Sequence, residues 1–229
     1  MGIFLNPFYD HRRHCIRLLA ASVLCGIGVS ASPLAMAGSD AALAEKRILV
    51  LGDSLSAEYG LRRGTGWVAL LELRLAAQSL TYKVVNASIS GDTTSGGRAR
   101  LDALLRQHQP RVVVIELGAN DALRGLPLEM TQSNLAAMTR MAQQAGARVV
   151  LLGMQLPPNY GRDYTERFTR LYAEVARAHK AALVPFMLKG IADVTDSIRW
   201  FQADRIHPLE TAHPLILENV WPTLKKVLS

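Results

Sequence analysis

Short apolar runs recur along this chain, with amphipathic stretches between them. Ile48–Leu51, Lys83–Ala87, Val112–Leu117 and Arg148–Met154 are rich in aliphatic and β-branched residues, the composition of strands covered on both faces, and Leu183–Phe186 reads as a fifth. The stretches Trp67–Gln78, Ala99–Gln107, Met130–Ala145 and Tyr164–Lys180 carry helical patterns. In the first of these, Trp67, Leu70, Leu71 and Leu75 follow the i, i+3, i+4, i+8 spacing of a one-sided apolar stripe. Pro110 stops the second and Gly146 closes the third. A last helix is expected from near Thr211, whose side chain would cap it, with Pro214 in its first turn and Pro222 bending it. Regular alternation of strand and helix predicts one parallel sheet with helices on both faces, and ligands of such sheets gather beyond the carboxyl ends of the strands.

The first 37 residues stand apart from this pattern. Arg12, Arg13 and Arg17 precede an uncharged stretch, Leu18–Ala31, and Ala35-Met36-Ala37 then supplies the small-x-small pattern of a cleavage site. The expectation is a secretory signal peptide over residues 1–37, cleaved after Ala37, with a single domain over 38–229 and a periplasmic or secreted destination. An uncleaved anchor is disfavoured, because the stretch falls short of the roughly 20 residues a bilayer span requires and contains Gly26 and Gly28. Bulky Leu24 before Cys25 speaks against a lipid anchor at that cysteine. Both cysteines, Cys15 and Cys25, fall in this leader, which excludes a disulfide, a thiol nucleophile and a thiolate metal site from the mature chain. The leader carries +2 of the net charge of +7, leaving +5 dispersed over the rest. No basic run suits a nucleic acid, and neither a nucleic-acid partner nor stable membrane insertion is expected.

Candidate chemistry begins where the first apolar run ends, at Gly52-Asp53-Ser54-Leu55-Ser56. A serine at a strand end commonly only bonds the local backbone. Its meaning changes beside Ser90-Gly91-Asp92, Gly118-Ala119-Asn120-Asp121 and Asp204-Arg205-Ile206-His207-Pro208, because a serine hydroxyl becomes a nucleophile when a histidine, oriented by a carboxylate, accepts its proton. Asp204 and His207, three residues apart, suit those two roles. His213 is the competing base but has no acid three residues before it, whereas His108 and His179 read as ordinary residues near helix ends. The Ser54 and Gly91 amides and the Asn120 side chain would supply an oxyanion hole. Taken singly, the Gly91 segment reads as a turn and Asn120-Asp121 as a helix start. Asp53, Asp92 and Asp121 admit a second reading as a carboxylate cluster for a divalent metal, yet each also suits turn or helix-start chemistry, and no metal or cofactor is expected.

These four blocks, in this order, resemble those of the SGNH or GDSL hydrolases, whose name lists their Ser, Gly, Asn and His. Asn86-Ala87-Ser88-Ile89-Ser90-Gly91-Asp92-Thr93, Glu116-Leu117-Gly118, Leu123-Arg124-Gly125-Leu126 and Leu156-Pro157-Pro158-Asn159-Tyr160-Gly161 are similar to the family's periplasmic acyl-CoA thioesterase, lysophospholipase and arylesterase branch, over a stretch from about Arg47 to the C-terminus. The resemblance implies a flavodoxin-like three-layer α/β/α sandwich with a parallel five-stranded sheet. It implies a triad of Ser54, Asp204 and His207, an oxyanion hole from Ser54, Gly91 and Asn120, and an acyl groove walled by Leu156, Pro157, Asn159 and Tyr160. The implied substrates are small acyl esters or thioesters, lysophospholipids among them. Ala119 and Arg205 depart from the glycines often found there, which touches acyl-length preference rather than any catalytic atom. A carbohydrate or peptidoglycan O-acetyl esterase, a non-catalytic lipid- or glycan-binding module, and an acyltransferase using the same residues are the competing readings.

Overall fold

Strand β1 (Lys46–Gly52) runs through the centre of a parallel sheet, with Ile48–Leu51 fully buried. It pairs with β2 (Tyr82–Asn86) on one side and β3 (Val112–Glu116) on the other; β4 (Arg148–Leu152) follows β3 and β5 (Ala182–Val184) closes the sheet, in the order β2-β1-β3-β4-β5. The computed structural model describes residues 45–229, so the expected leader, with Cys15 and Cys25, lies outside the described residues. All five apolar runs are strands of one parallel sheet, each shifted by at most two or three residues at its ends.

Helices α1 (Trp67–Ala77) and α6 (His213–Leu228) pack together on one face, while α2 (Thr94–His108), α4 (Leu128–Gln144) and α5 (Arg162–His179) pack in sequence on the other. The result is the three-layer α/β/α architecture. The winding order reverses between β1 and β3, successive strands being added first to one side and then to the other, so the loops leaving their carboxyl ends part and open a crevice at that point.

Three local departures from the sequence pattern have physical causes. Helix α2 starts at Thr94, five residues before the expected Ala99, and runs through Ser95-Gly96-Gly97, residues with weak helix preference. A Cβ at Gly97 would lie 2.3 Å from Leu117 Cδ1, so glycine is what lets the helix settle on the sheet. Thr93 caps this start through its hydroxyl, which accepts from the Gly96 amide at 3.3 Å, and Asp121 accepts the Thr94 amide at 2.8 Å. A short helix α3 (Ala119–Leu123) occupies the segment read as a helix start. Lastly, Thr211 caps nothing: a 3-10 turn, Glu210–Ala212, leads into α6 at His213, with Pro214 in the first turn as expected.

Candidate active site

Ser54 follows β1, Gly91 follows β2, and Asn120 follows β3, so the carboxyl edge of the sheet brings all three to one cleft of about 450 Å³. His207 arrives from the long connection between β5 and α6. That loop is pinned as a hairpin: Phe201 and Pro208 form an antiparallel bridge, the Gln202 amide donates to the His207 carbonyl at 2.8 Å, and the Gln202 side chain donates to the Tyr59 carbonyl at 2.9 Å. Arg205 sits at its tip with φ +58°, the left-handed conformation that favours glycine. The loop is therefore tethered to the Ser54 loop, which fixes the distance between the two reacting side chains.

His207 Nε2 lies 2.9 Å from Ser54 Oγ, and its Nδ1 lies 2.6 Å from Asp204 Oδ2. The carboxylate holds the proton on Nδ1, leaving Nε2 to accept the serine proton. Asp204 accepts further bonds from the Ile206 and His207 amides, at 2.9 and 3.1 Å. These bonds, the one from the His207 ring foremost, lower its pKa to about 2. Tyr59 packs against the imidazole with ring centroids 4.3 Å apart.

Among the described residues no acceptor takes the amide of Ser54 or of Gly91. Ser54, Gly91 and Asn120 all line the cleft. The rest of the lining is largely apolar: Leu123, Met154, Leu156, Pro157, Leu188, Phe201 and Ile206. Ala119 and Arg205, the two departures noted in the sequence, border the same cleft. Leu156 and Pro157 line the cleft, whereas Asn159 and Tyr160 lie beyond the lining, exposed on the 3-10 turn Pro158–Tyr160. Tyr59, Met154, Leu188, Phe201 and Ile206 were not anticipated, and no local pattern marks them.

His213, the competing base, is buried on the far side of the Ser54 loop, where its Nδ1 accepts the Trp67 amide at 3.0 Å. Burial lowers its pKa to about 4. Because the unfolded chain would bind that proton near pH 6.5, His213 makes stability fall as pH drops from about 6.5 to about 4. Asp53 acts in the opposite sense over a similar range, since burial raises its pKa to about 6 and its protonation favours the folded state. His213→Gln should therefore flatten or reverse the decline of Tm between pH 6.5 and 4. An unaltered slope in thermal melts would assign the decline to another group.

The three carboxylates considered as a metal cluster are each occupied by protein donors. Asp53 accepts from Leu55 and Asn120, Asp92 pairs with Arg100, and Asp121 accepts from Thr94 and Thr131. His108 and His179 close α2 and α5 far from Ser54 in the fold, as ordinary helix-end residues.

A parallel α/β sheet that presents a Ser–His–Asp relay and free amides at its carboxyl edge defines a serine hydrolase. Matching the GDSL-like Lipase/Acylhydrolase pattern over residues 50–215, the chain belongs to that family. It is 56% identical over 185 residues to esterase TesA of Pseudomonas aeruginosa, across 81% of this chain and 90% of that protein. It is 42% identical over 177 residues to thioesterase 1/protease 1/lysophospholipase L1 of Escherichia coli strain K12, across 77% of this chain and 82% of that protein. A crystal structure of TesA aligns with a TM-score of 0.76 at 55% identity, covering 80% of this chain and 99% of that one. The chain is a GDSL-type ester hydrolase on the SGNH fold.

Proposed function

We propose that this enzyme cleaves carboxylic esters and thioesters of medium to long acyl chains through an acyl-enzyme on Ser54. The observation that carries this reading is the unbroken relay from Asp204 through His207 to Ser54 Oγ, set at the mouth of an apolar cleft. His207 takes the hydroxyl proton as Ser54 attacks the carbonyl, and the Ser54 and Gly91 amides with the Asn120 side chain receive the oxyanion. The protonated His207 then delivers its proton to the departing alcohol or thiol. Water repeats the sequence on the acyl-enzyme, with His207 again as base, and restores Ser54.

Turnover of p-nitrophenyl esters from acetate to palmitate tests the substrate class. Activity that extends to medium or long chains supports it; activity confined to acetate would favour an O-acetyl esterase. A phosphonate ester that inactivates the enzyme should leave its adduct on the peptide containing Ser54, and modification elsewhere would refute the acyl-enzyme.

Leu156 is half-buried in the cleft wall. An apolar side chain of this size contributes about 1.5–3 kcal/mol to apolar burial, so Leu156→Asp should lower kcat/KM for octanoate esters roughly ten- to hundredfold. Acetate, too short to reach it, should be hydrolysed almost as before. Equal losses on both esters would remove Leu156 from the acyl groove.

The anionic or neutral head group of a lysophospholipid suits the open, exposed rim on which Arg205 sits. The leader pattern over residues 1–37 supports an exported, periplasmic or secreted location, where such lipids and other esters would be accessible substrates. Among the described residues no helix is long and apolar enough to cross a membrane.

A further inference from the structure

Beneath the cleft lie three buried carboxyl groups that the relay does not use: Asp53, Glu116 and Asp121, each at most 1% exposed. Asp121 is a clamp between α2 and α4, holding the Thr94 amide and the hydroxyls of Thr94 and Thr131. The other two form a unit of a different kind. Glu116 Oε2 accepts from the Asp53 amide at 3.1 Å and from Ser56 Oγ at 2.8 Å, and Ser56 Oγ in turn receives Trp67 Nε1–H at 3.1 Å. Its second oxygen, Oε1, is buried with no donor among the described residues.

A bare carboxylate oxygen in a site of this kind is costly, and protonation of the group removes the buried charge. Asp53 is the second acid of this buried network: its amide donates to Glu116 Oε2, and a charge on its carboxylate disfavours a second one on Glu116. Asp53 also accepts the Leu55 amide on Oδ1 at 3.0 Å and Asn120 Nδ2 on Oδ2 at 2.9 Å.

We propose that Glu116 is a neutral acid, that Asp53 is thereby left as the single charge of the pair, and that ionised Asp53 is the residue that positions the Asn120 amide for the oxyanion. This rests on the acyl-enzyme reading of the cleft. Asn120 Nδ2 spends its two hydrogens on Asp53 Oδ2 and on the Asp92 carbonyl at 3.0 Å. A bond to a charged acceptor is the stronger, so the hydrogen on Asp92 is the one the oxyanion recruits, while the Asp53 bond keeps the amide plane in place. The pKa directions agree with this order. Burial, with the Asp53 charge beside it, drives Glu116 well above the usual carboxylate range, and burial raises Asp53 only to about 6.

The other groups facing the pair come from four elements. Tyr172 of α5, which donates to the Leu117 carbonyl at 3.0 Å, is pushed well up by burial and stays neutral. Asp121 of α3 is held by its threonines, and Asp92, after β2, is neutralised by Arg100. His207, from the hairpin loop, gains a positive charge during the reaction, and its field favours ionised Asp53. Asp53 is therefore most firmly charged at the moment the oxyanion forms.

A double-mutant cycle on kcat for p-nitrophenyl acetate tests the positioning role. Asn120→Ala should cost about a hundred- to a thousandfold, the usual loss of one oxyanion donor. Asp53→Asn places an amide hydrogen against either Leu55 N or Asn120 Nδ2, and should lower kcat at least tenfold with KM little changed. The double variant should be no slower than Asn120→Ala alone. Losses that multiply in the double variant, or an Asp53→Asn enzyme of normal kcat, would overturn the proposal.

Two measurements that require no turnover guard against a variant that fails to fold. In the unsubstituted protein, the Asn120 side-chain amide resonances, identified by their absence in Asn120→Ala, should shift as pH falls through about 6, where Asp53 takes a proton. Infrared spectra at pH 7 should show a protonated carboxyl C=O band that Glu116→Gln removes. A pH-independent Asn120 signal, or no such band, would refute the proton arrangement. Both readouts hold even if Ser54 were shown not to carry the acyl group, so the two readings fail separately.

Discussion

Ser54→Ala is expected to lower kcat/KM for medium-chain esters by at least about ten-thousandfold, or roughly 5 kcal/mol of transition-state stabilisation. The size of the loss follows from what the hydroxyl does. It is the atom that forms the acyl bond; among the described residues no cysteine lines the cleft, and Ser90, the other serine there, has no histidine bonded to it as base. The residual rate would come from the free amides, Asn120 and the apolar walls, which still bind the ester and stabilise an oxyanion formed by water. Structure should be spared, because among the described residues Ser54 Oγ bonds only to His207 at the cleft surface, and alanine leaves no fully buried partner without a bond. A change in stability of about 0.5 kcal/mol or less is expected. Retained turnover in a folded Ser54→Ala protein would refute the acyl-enzyme; a loss of activity accompanied by a large fall in Tm would show that the serine is structural.

The second large effect separates two histidines that each precede a proline. His207→Ala should abolish turnover as thoroughly as Ser54→Ala, with a modest effect on stability, since the ring lies on a surface loop otherwise fixed by backbone bonds. His213→Ala should do the reverse. Removing the buried ring takes the acceptor from the Trp67 amide and leaves a void, so a loss of about 2–4 kcal/mol is expected while kcat of the folded fraction stays within roughly threefold of normal. Activity and thermal melts of the two variants decide the matter together. Turnover surviving in His207→Ala and vanishing from a well-folded His213→Ala would assign the base to the wrong side of the Ser54 loop.

Legibility in the sequence followed the range of the interaction. Ser54, Gly91 and Asn120 could be placed because each follows an apolar strand within five residues, and parallel order sends every such position to one edge. Asp204 and His207 were legible from a three-residue spacing that closes within a single loop. Tyr59, Met154, Leu188 and the Phe201–Ile206 hairpin come from separate parts of the chain and meet only in three dimensions; Ile206 adjoins His207, but nothing in the sequence shows which of these side chains face the cleft. Asn159 and Tyr160 share a segment with Leu156 and Pro157, but the 3-10 turn carries them away from the cleft. The start of α2 was hidden because Gly96 and Gly97 weaken local helix preference, and the contact of Gly97 with the sheet outweighs that preference. Glu116 looks like an ordinary strand-end acid, and its burial depends on Trp67 and Ser56 from elsewhere in the chain.

Gly52 and Glu116 are register partners across β1 and β3, and a Cβ on Gly52 would stand 2.8 Å from Glu116 Oε2 and from Ser56 Oγ. The two positions should therefore tolerate exchange only as a couple. In a library randomised at both sites and selected for ester cleavage, alanine at 52 should survive only beside a shorter residue at 116. Such pairs should also lift or tilt the nucleophile's loop, so that the same selection recovers enzymes with altered preference for the alcohol that leaves.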